Sequence, residues 1–297
     1  MKRSIKKWLI PLVIVVVLAV VLVRVFAGGG SPSTTIKIIG SNTVTPLSSV
    51  WAEEFMEKNP QVKIAVSGPG SGAGIAALID GTTDICQASR AIKQSEIEQA
   101  EARGVHPYEI QVASDGLSVV VHPSNPVSEL TIVQLSAIYT NQITNWKELG
   151  GNDAPIVVLA RDTSSGTHVF FKEHVVQMLS LPTQNATLEY GPDVSYMAST
   201  EAGIVEVARN PKAIFYAGLG YVTDAVKPLA IKKTASDPGV LPSVATVLDG
   251  TYPISRPLFF YTNGAPTGII KDFIDYCLSS EGQRKVTEVG YVPLVGK

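Results

Sequence analysis

Ile36-Lys37-Ile38-Ile39-Gly40-Ser41-Asn42-Thr43-Val44-Thr45-Pro46-Leu47 decides the fold of this chain, because its character changes twice in one short stretch. Residues 36–39 read as a short apolar strand. Residues 40–44 are a polar turn. Thr45 and Pro46 mark a helix start, since proline lacks an N–H that the first turn leaves unpaired in any case. Leu47, Val50, Trp51 and Phe55 then recur at helical spacing. The same order returns along the chain. Residues 62–66 form a strand, Gly68-Pro69-Gly70-Ser71-Gly72-Ala73-Gly74 a turn, and residues 73–79 a helix. Residues 156–159 form a strand, followed by Arg161-Asp162-Thr163-Ser164-Ser165-Gly166-Thr167 and a helix predicted over 167–179. Further strands are expected at 117–121, 213–216 and 258–261, and helices at 201–209 and from Thr267 onward. This alternation predicts an α/β protein with parallel sheets covered by helices.

The three strand–turn–helix segments share a chemistry. Each places backbone N–H groups and hydroxyls at a helix N-terminus, where unpaired donors and the helix dipole favour negative charge. One such turn is an ordinary helix cap. Three in one chain, one of them introduced by Arg161, point to an oxyanion site. Arg90, in Ala88-Ser89-Arg90-Ala91, is a further candidate. An arginine offers a planar fork that matches two phosphate oxygens, whereas a surface arginine is its plain reading. The glycine-rich stretch from Gly68 to Gly74 also resembles a nucleotide-binding turn, but it lacks the Lys-Ser/Thr of a P-loop. Its spacing as a dinucleotide fingerprint is imperfect, and the strand ending in Cys86-Gln87-Ala88-Ser89 has no acidic residue to hold a ribose.

Enzyme readings find little support. His106, His122, His168 and His174 form no HExxH pair, and Ser165 is not in a Gly-x-Ser-x-Gly elbow. Nothing identifies an acid to orient His168 in a triad. No zinc pattern is present, and no cofactor or metal is expected.

Composition bounds the remainder. The chain has 297 residues, 45% hydrophobic and 17% charged, which is globular and excludes a disordered or fibrous protein. Lys2, Arg3, Lys6 and Lys7 precede the uncharged, apolar residues 8–23; Arg24 and a Gly/Ser/Pro linker over 28–33 follow. That is the pattern of an export signal, with a cleavage site after Ala27, or of an uncleaved membrane anchor. Either places the rest outside the cytoplasm. No cysteine lies near the junction, which argues against a lipid anchor. Five of the 24 basic residues lie in residues 1–27, so the rest carries 19 basic against 26 acidic residues, a net of −7. That balance argues against nucleic acid as a partner. Cys86 and Cys277 are either a disulfide or two buried thiols. Two proline-rich passages, His122-Pro123-Ser124-Asn125-Pro126 and Tyr252-Pro253-Ile254-Ser255-Arg256-Pro257, are candidate crossings between lobes.

From about Ile36 to Pro293 the chain resembles the phosphate-binding proteins of ABC-type phosphate transporters. The resemblance rests on Gly40-Ser41-Asn42-Thr43-Val44, Gly70-Ser71-Gly72, Ala88-Ser89-Arg90 and Arg161-Asp162-Thr163-Ser164-Ser165-Gly166-Thr167. Ile143-Thr144-Asn145-Trp146, Gly218-Leu219-Gly220-Tyr221, Ser280-Glu281-Gly282-Gln283 and Gly290-Tyr291-Val292-Pro293 support it. It implies a two-lobed periplasmic-binding-protein (Venus-flytrap) fold with two hinge crossings, one lobe of residues 34–121 and 256–297 and the other of 122–255. It implies capture of inorganic phosphate in the cleft and delivery to ABC transporter permease subunits, by a monomer. By position, Thr43, Val44, Ser71, Arg161, Ser165, Gly166 and Thr167 would contact phosphate, with Ser41 as an extra contact; Arg90 is a candidate on its guanidinium chemistry alone. In some relatives an Asp at the position of Arg90 accepts the proton of phosphate. An acceptor-only carboxylate is what separates protonated phosphate from sulfate. Asp162 is the first candidate here and Asp115 the second. Rival readings are a binding protein for sulfate, molybdate or tungstate, and a surface sensor or phosphate-handling enzyme on the same fold.

Overall fold

The computed structural model describes residues 34–294. The expected export signal or anchor and its linker lie outside the described residues. Among the described residues no helix is long and apolar enough to cross a membrane. The chain runs β1 (Thr34–Gly40), α1 (Thr45–Lys58), β2 (Val62–Ser67), α2 (Ser71–Ile79), β3 (Ile85–Ala88), α3 (Gln94–Glu101) and β4 (Pro107–Val121). It continues through β5 (Glu129–Thr131), α4 (Ile132–Tyr139), β6 (Val157–Arg161), α5 (Gly166–His174), β7 (Ser195–Met197) and α6 (Thr200–Arg209). It closes with β8 (Ala213–Gly218), β9 (Lys227–Pro228), β10 (Ala230–Lys232), α7 (Val244–Leu248), β11 (Ser255–Asn263), α8 (Gly268–Leu278) and α9 (Ser280–Glu288).

Within the main sheet, parallel pairing is confined to the two wings: β1 with β2 and β3, and β6 with β7 and β8. The centre is antiparallel, with β11 between β3 and β4 and with β4 beside β8. The expected parallel pairing is therefore found in the wings, and the centre departs from it. The reason is connectivity: β4 carries the chain out of the first lobe and β11 brings it back, so the two must run in opposite directions. β4 changes partner in mid-strand, from β11 at Gly116↔Ser255 to β8 at Leu117↔Gly218. That switch lies ahead of residue 121. The His122–Pro126 passage follows it and is a turn within the second lobe, closed by Asn125 N–H donating to the His122 carbonyl at 2.9 Å.

Each lobe has its own core. Ile36, Ile38, Leu47, Trp51, Phe55, Phe260, Phe273 and Tyr291 pack together in the first. Leu117, Val119, Leu135, Tyr139, Trp146, Phe171 and Tyr216 pack in the second, with Phe171 stacked on Tyr216 at 4.0 Å. Both cysteines are buried free thiols; Cys277 joins the first-lobe core and Cys86 a smaller cluster under α2. Burial pushes the Cys86 thiol up to about 12. The helix predicted over 167–179 ends earlier, at His174, because Val175 leaves helical geometry (φ −130°) to bury itself, and a short 3₁₀ turn follows.

Candidate functional site

The three turns meet where the lobes touch. β1 ends on Gly40 (φ +150°), where a Cβ would lie 2.0 Å from the Gln87 carbonyl oxygen, so only glycine lets the turn pass. The Ser41 carbonyl then accepts the N–H groups of Val44 and Thr45, which folds Thr43 inward. Tyr291 Oη donates to the Thr43 carbonyl at 2.6 Å. The second turn enters α2 through Gly70 (φ +124°), and Ser71 Oγ accepts from the Ser89 N–H at 3.1 Å and lies 3.3 Å from Ser89 Oγ. The third turn enters α5 through Ser165, whose Oγ accepts from the N–H groups of Thr167 and His168. The second and third turns interlock across the lobes: Gly72 N–H donates to the Ser164 carbonyl at 3.0 Å. The first and third do as well, with Thr43 Oγ1 and Thr167 Oγ1 only 2.9 Å apart.

One fully buried ion pair stands behind these hydroxyls. Arg256 and Asp115 face each other in the register of β11 and β4, at the point where β4 changes partner. Arg256 Nε and Nη2 donate to Asp115 Oδ2 at 3.1 and 2.9 Å. Nη2 also donates to Thr167 Oγ1 at 3.0 Å and lies 3.5 Å from Thr43 Oγ1, and Nη1 donates to the Ser89 carbonyl at 3.1 Å. The guanidinium lies over the Phe170 ring, 5.5 Å from its centre. Asp115 Oδ1 accepts the Leu219 N–H at 2.9 Å. Burial pushes the Asp115 carboxyl up, against the opposing pull of Arg256 and the Leu219 N–H. An ionised carboxylate has about four acceptor positions, and three are occupied, which leaves room for one more donor.

The expected residues divide. Thr43, Ser71, Gly166, Thr167 and Asp115 come together around Arg256; a Cβ on Gly166 would lie 2.2 Å from Ser71 Oγ. Ser165 adjoins them as the cap of α5. Ser41 holds the first turn through its carbonyl, and Val44 packs its side chain into the first-lobe core. Arg161 is buried at the end of β6 with its five donors all on protein acceptors, namely Met197 O, Asn42 Oδ1, Thr200 Oγ1, Asp162 Oδ2 and Ala198 O. Asp162 folds its own turn: Oδ1 accepts from the Ser164 N–H at 3.0 Å and from Ser164 Oγ. Glu96 takes both arms of the Arg90 guanidinium at 2.8 and 2.7 Å, while the buried Arg90 Nε has no hydrogen-bond partner among the described residues and the side chain lines a cavity together with Arg256 and Phe170.

Arg256 and Ser89 join the site without having been singled out by sequence reasoning. The signal for Arg256 is a lone cation directly before the apolar strand, inside a passage that reads only as a crossing. His168 forms no triad: its Nδ1 pairs with the Arg161 carbonyl at 2.8 Å, its ring lies 4.5 Å from that of Tyr190, and burial lowers its pKa. Among the described residues no group of His, Cys, Asp and Glu side chains could hold a metal ion.

Known proteins share this architecture. The model of the PBP superfamily domain matches residues 27–281. The phosphate-binding protein PstS of Pseudomonas aeruginosa is 31% identical over 282 residues, covering 89% of this chain and 84% of that protein. PstS of Bacillus subtilis is 34% identical over 269 residues, covering 90% and 83%. A phosphate ABC transporter substrate-binding protein from Clostridium perfringens, solved with bound phosphate, superimposes with a TM-score of 0.76 at 35% identity. The match covers 88% of this chain and 100% of that one. An ABC-type phosphate transport receptor from Vibrio cholerae gives 0.70 at 31% identity, covering 88% and 100%. The chain belongs to the PBP superfamily and, within it, to the family of the phosphate-binding PstS proteins.

Proposed function

We propose that this protein captures inorganic phosphate between its two lobes, outside the cytoplasm, and delivers it as a monomer to the permease subunits of an ABC transporter. The observation that carries this reading is the buried Arg256–Asp115 pair set against two hydroxyls from opposite lobes. To admit an anion, Thr43 and Thr167 part and turn their hydroxyls to it; Ser71, the Gly166 N–H and the Arg256 guanidinium add donors. Charge-assisted hydrogen bonds contribute roughly 1.5–3 kcal/mol each, so several must form together to offset dehydration and lobe closure. The remaining acceptor position of Asp115 takes the proton that phosphate carries near neutral pH. Sulfate brings no proton, and two acceptors facing each other repel. The relatives are named as binding proteins or receptors, and capture and release is the only chemistry the reading requires. The N-terminal basic and apolar segment supports export or anchoring.

Calorimetric titration of the full chain in detergent with phosphate, in the presence and absence of excess sulfate, tests this. Phosphate binding that sulfate cannot displace is expected. Displacement by sulfate would leave the fold and overturn the ligand.

A further inference from the structure

We propose that Asn42 is the clasp that couples ligand capture to lobe closure, and that Arg161 acts through it instead of on the anion. This rests on the phosphate reading above. Asn42 lies in the first-lobe turn, next to Thr43, and its hydrogen bonds reach across to the second lobe. Its Oδ1 accepts from Arg161 Nη1 at 3.1 Å and from the Thr200 N–H at 3.0 Å. The latter is the first N–H of α6, one of the donors a helix leaves unpaired. Both neighbours are obligate donors, so the atom facing them is the amide oxygen, and its orientation is settled by its surroundings. The Asn42 carbonyl accepts from Tyr221 Oη at 2.7 Å.

Arg161 is the centre of the receiving half. Four of its five acceptors belong to its own lobe, and Asn42 is the one contributed by the other. A guanidinium so fully engaged needs no anion to satisfy it. Its position presents Nη1 at a fixed point, ready for Asn42 when the lobes close. Residues 42 and 43 share a peptide bond, so the turn that brings Thr43 to the anion also brings Asn42 to its three partners. Closure and capture then stabilise one another, which is the linkage a hinged trap requires.

The prediction is a change in release, not in encounter. In stopped-flow measurements of phosphate binding to the full chain, Asn42→Ala removes two hydrogen bonds made only across closed lobes. Release is expected to quicken about tenfold or more, with association within about twofold. Asn42→Asp keeps the acceptor oxygens opposite Arg161 and is expected to release no faster than wild type. Tyr221→Phe, which removes the third bond without touching the turn, is expected to quicken release by a smaller factor. Small-angle scattering without phosphate is expected to show Asn42→Ala more expanded than wild type. Wild-type release and compactness in Asn42→Ala, or release from Asn42→Asp as fast as from Asn42→Ala, would overturn the proposal. If Asn42→Ala fails to fold, Tyr221→Phe decides by the same readout. If the wild-type chain binds no phosphate, the functional reading fails, and the scattering comparison alone then decides the clasp.

Discussion

Asp115 and Arg256 are opposite charges with almost no exposure, on facing positions of neighbouring strands. Breaking such a pair by removing one partner typically costs about 3–5 kcal/mol, because the other charge stays buried. Asp115→Asn keeps the shape and removes the acceptor-only character. Its melting temperature is expected to fall by several degrees, and its preference for phosphate over sulfate to shrink by about tenfold or more in competition calorimetry. An unchanged preference would remove Asp115 from ligand selection. His168 gives a pH prediction. Burial lowers its pKa, so the unfolded chain binds a proton more readily than the folded one. Its stabilising contribution is therefore present above its unfolded value of about 6.5 and is lost as pH falls toward the folded pKa. His168→Gln is expected to flatten the loss of melting temperature between about pH 7 and pH 5; an equally steep loss would show that other groups govern it.

At the scale of elements, the N-terminus of α5 does two jobs. Ser165 Oγ caps it, so Ser165→Ala is expected to cost about 1 kcal/mol in chemical denaturation. Gly166 is needed for another reason. A Cβ there would meet Ser71 Oγ at 2.2 Å and Ser89 Oγ at 2.8 Å, which forces α5 away from the α2 turn. Gly166→Ala favours the helix by its propensity, yet it is expected to weaken phosphate affinity at least tenfold. Tight binding by that variant would mean the two turns have slack. Elements are legible in the sequence where one period runs unbroken. Residues 117–121 read as a strand because that half of β4 is wholly buried and therefore uniformly apolar but for Ser118. Residues 107–111 do not, since Tyr108, Glu109 and Gln111 are exposed on that half. α3 and α9 escape a reading by apolar period because each is mostly polar and buries few residues.

At the scale of the whole molecule, two separate cores are joined by two antiparallel strands, and the charged pair lies where the strands leave one lobe for the other. Any bending at the partner switch moves the groups that would hold the anion. Both cysteines lie in the first lobe, each in a different packed cluster with its thiol pushed up by burial. The folded protein is expected to react with a thiol reagent only over hours and to release two equivalents at once in denaturant. Fast reaction of one thiol without denaturant would reveal local opening of its cluster.

Thr43, Ser71, Gly166 and Thr167 were singled out by the family resemblance; the sequence by itself determined the α/β class and the three polar turns at helix starts. The class and the turns follow from local periodicity and local donors, which depend on residues near in the chain. Only the tertiary structure decided which charges join them. Arg90 and Arg161 look alike in sequence as free cations beside polar turns. Glu96 takes both arms of one and a ring of carbonyl and side-chain oxygens occupies the other. Arg256 is separated in the chain by 141 residues from Asp115 and by 89 from Thr167, and only strand pairing across the hinge brings them together. A buried cation takes its role from the acceptors that surround it, and those arrive from distant segments.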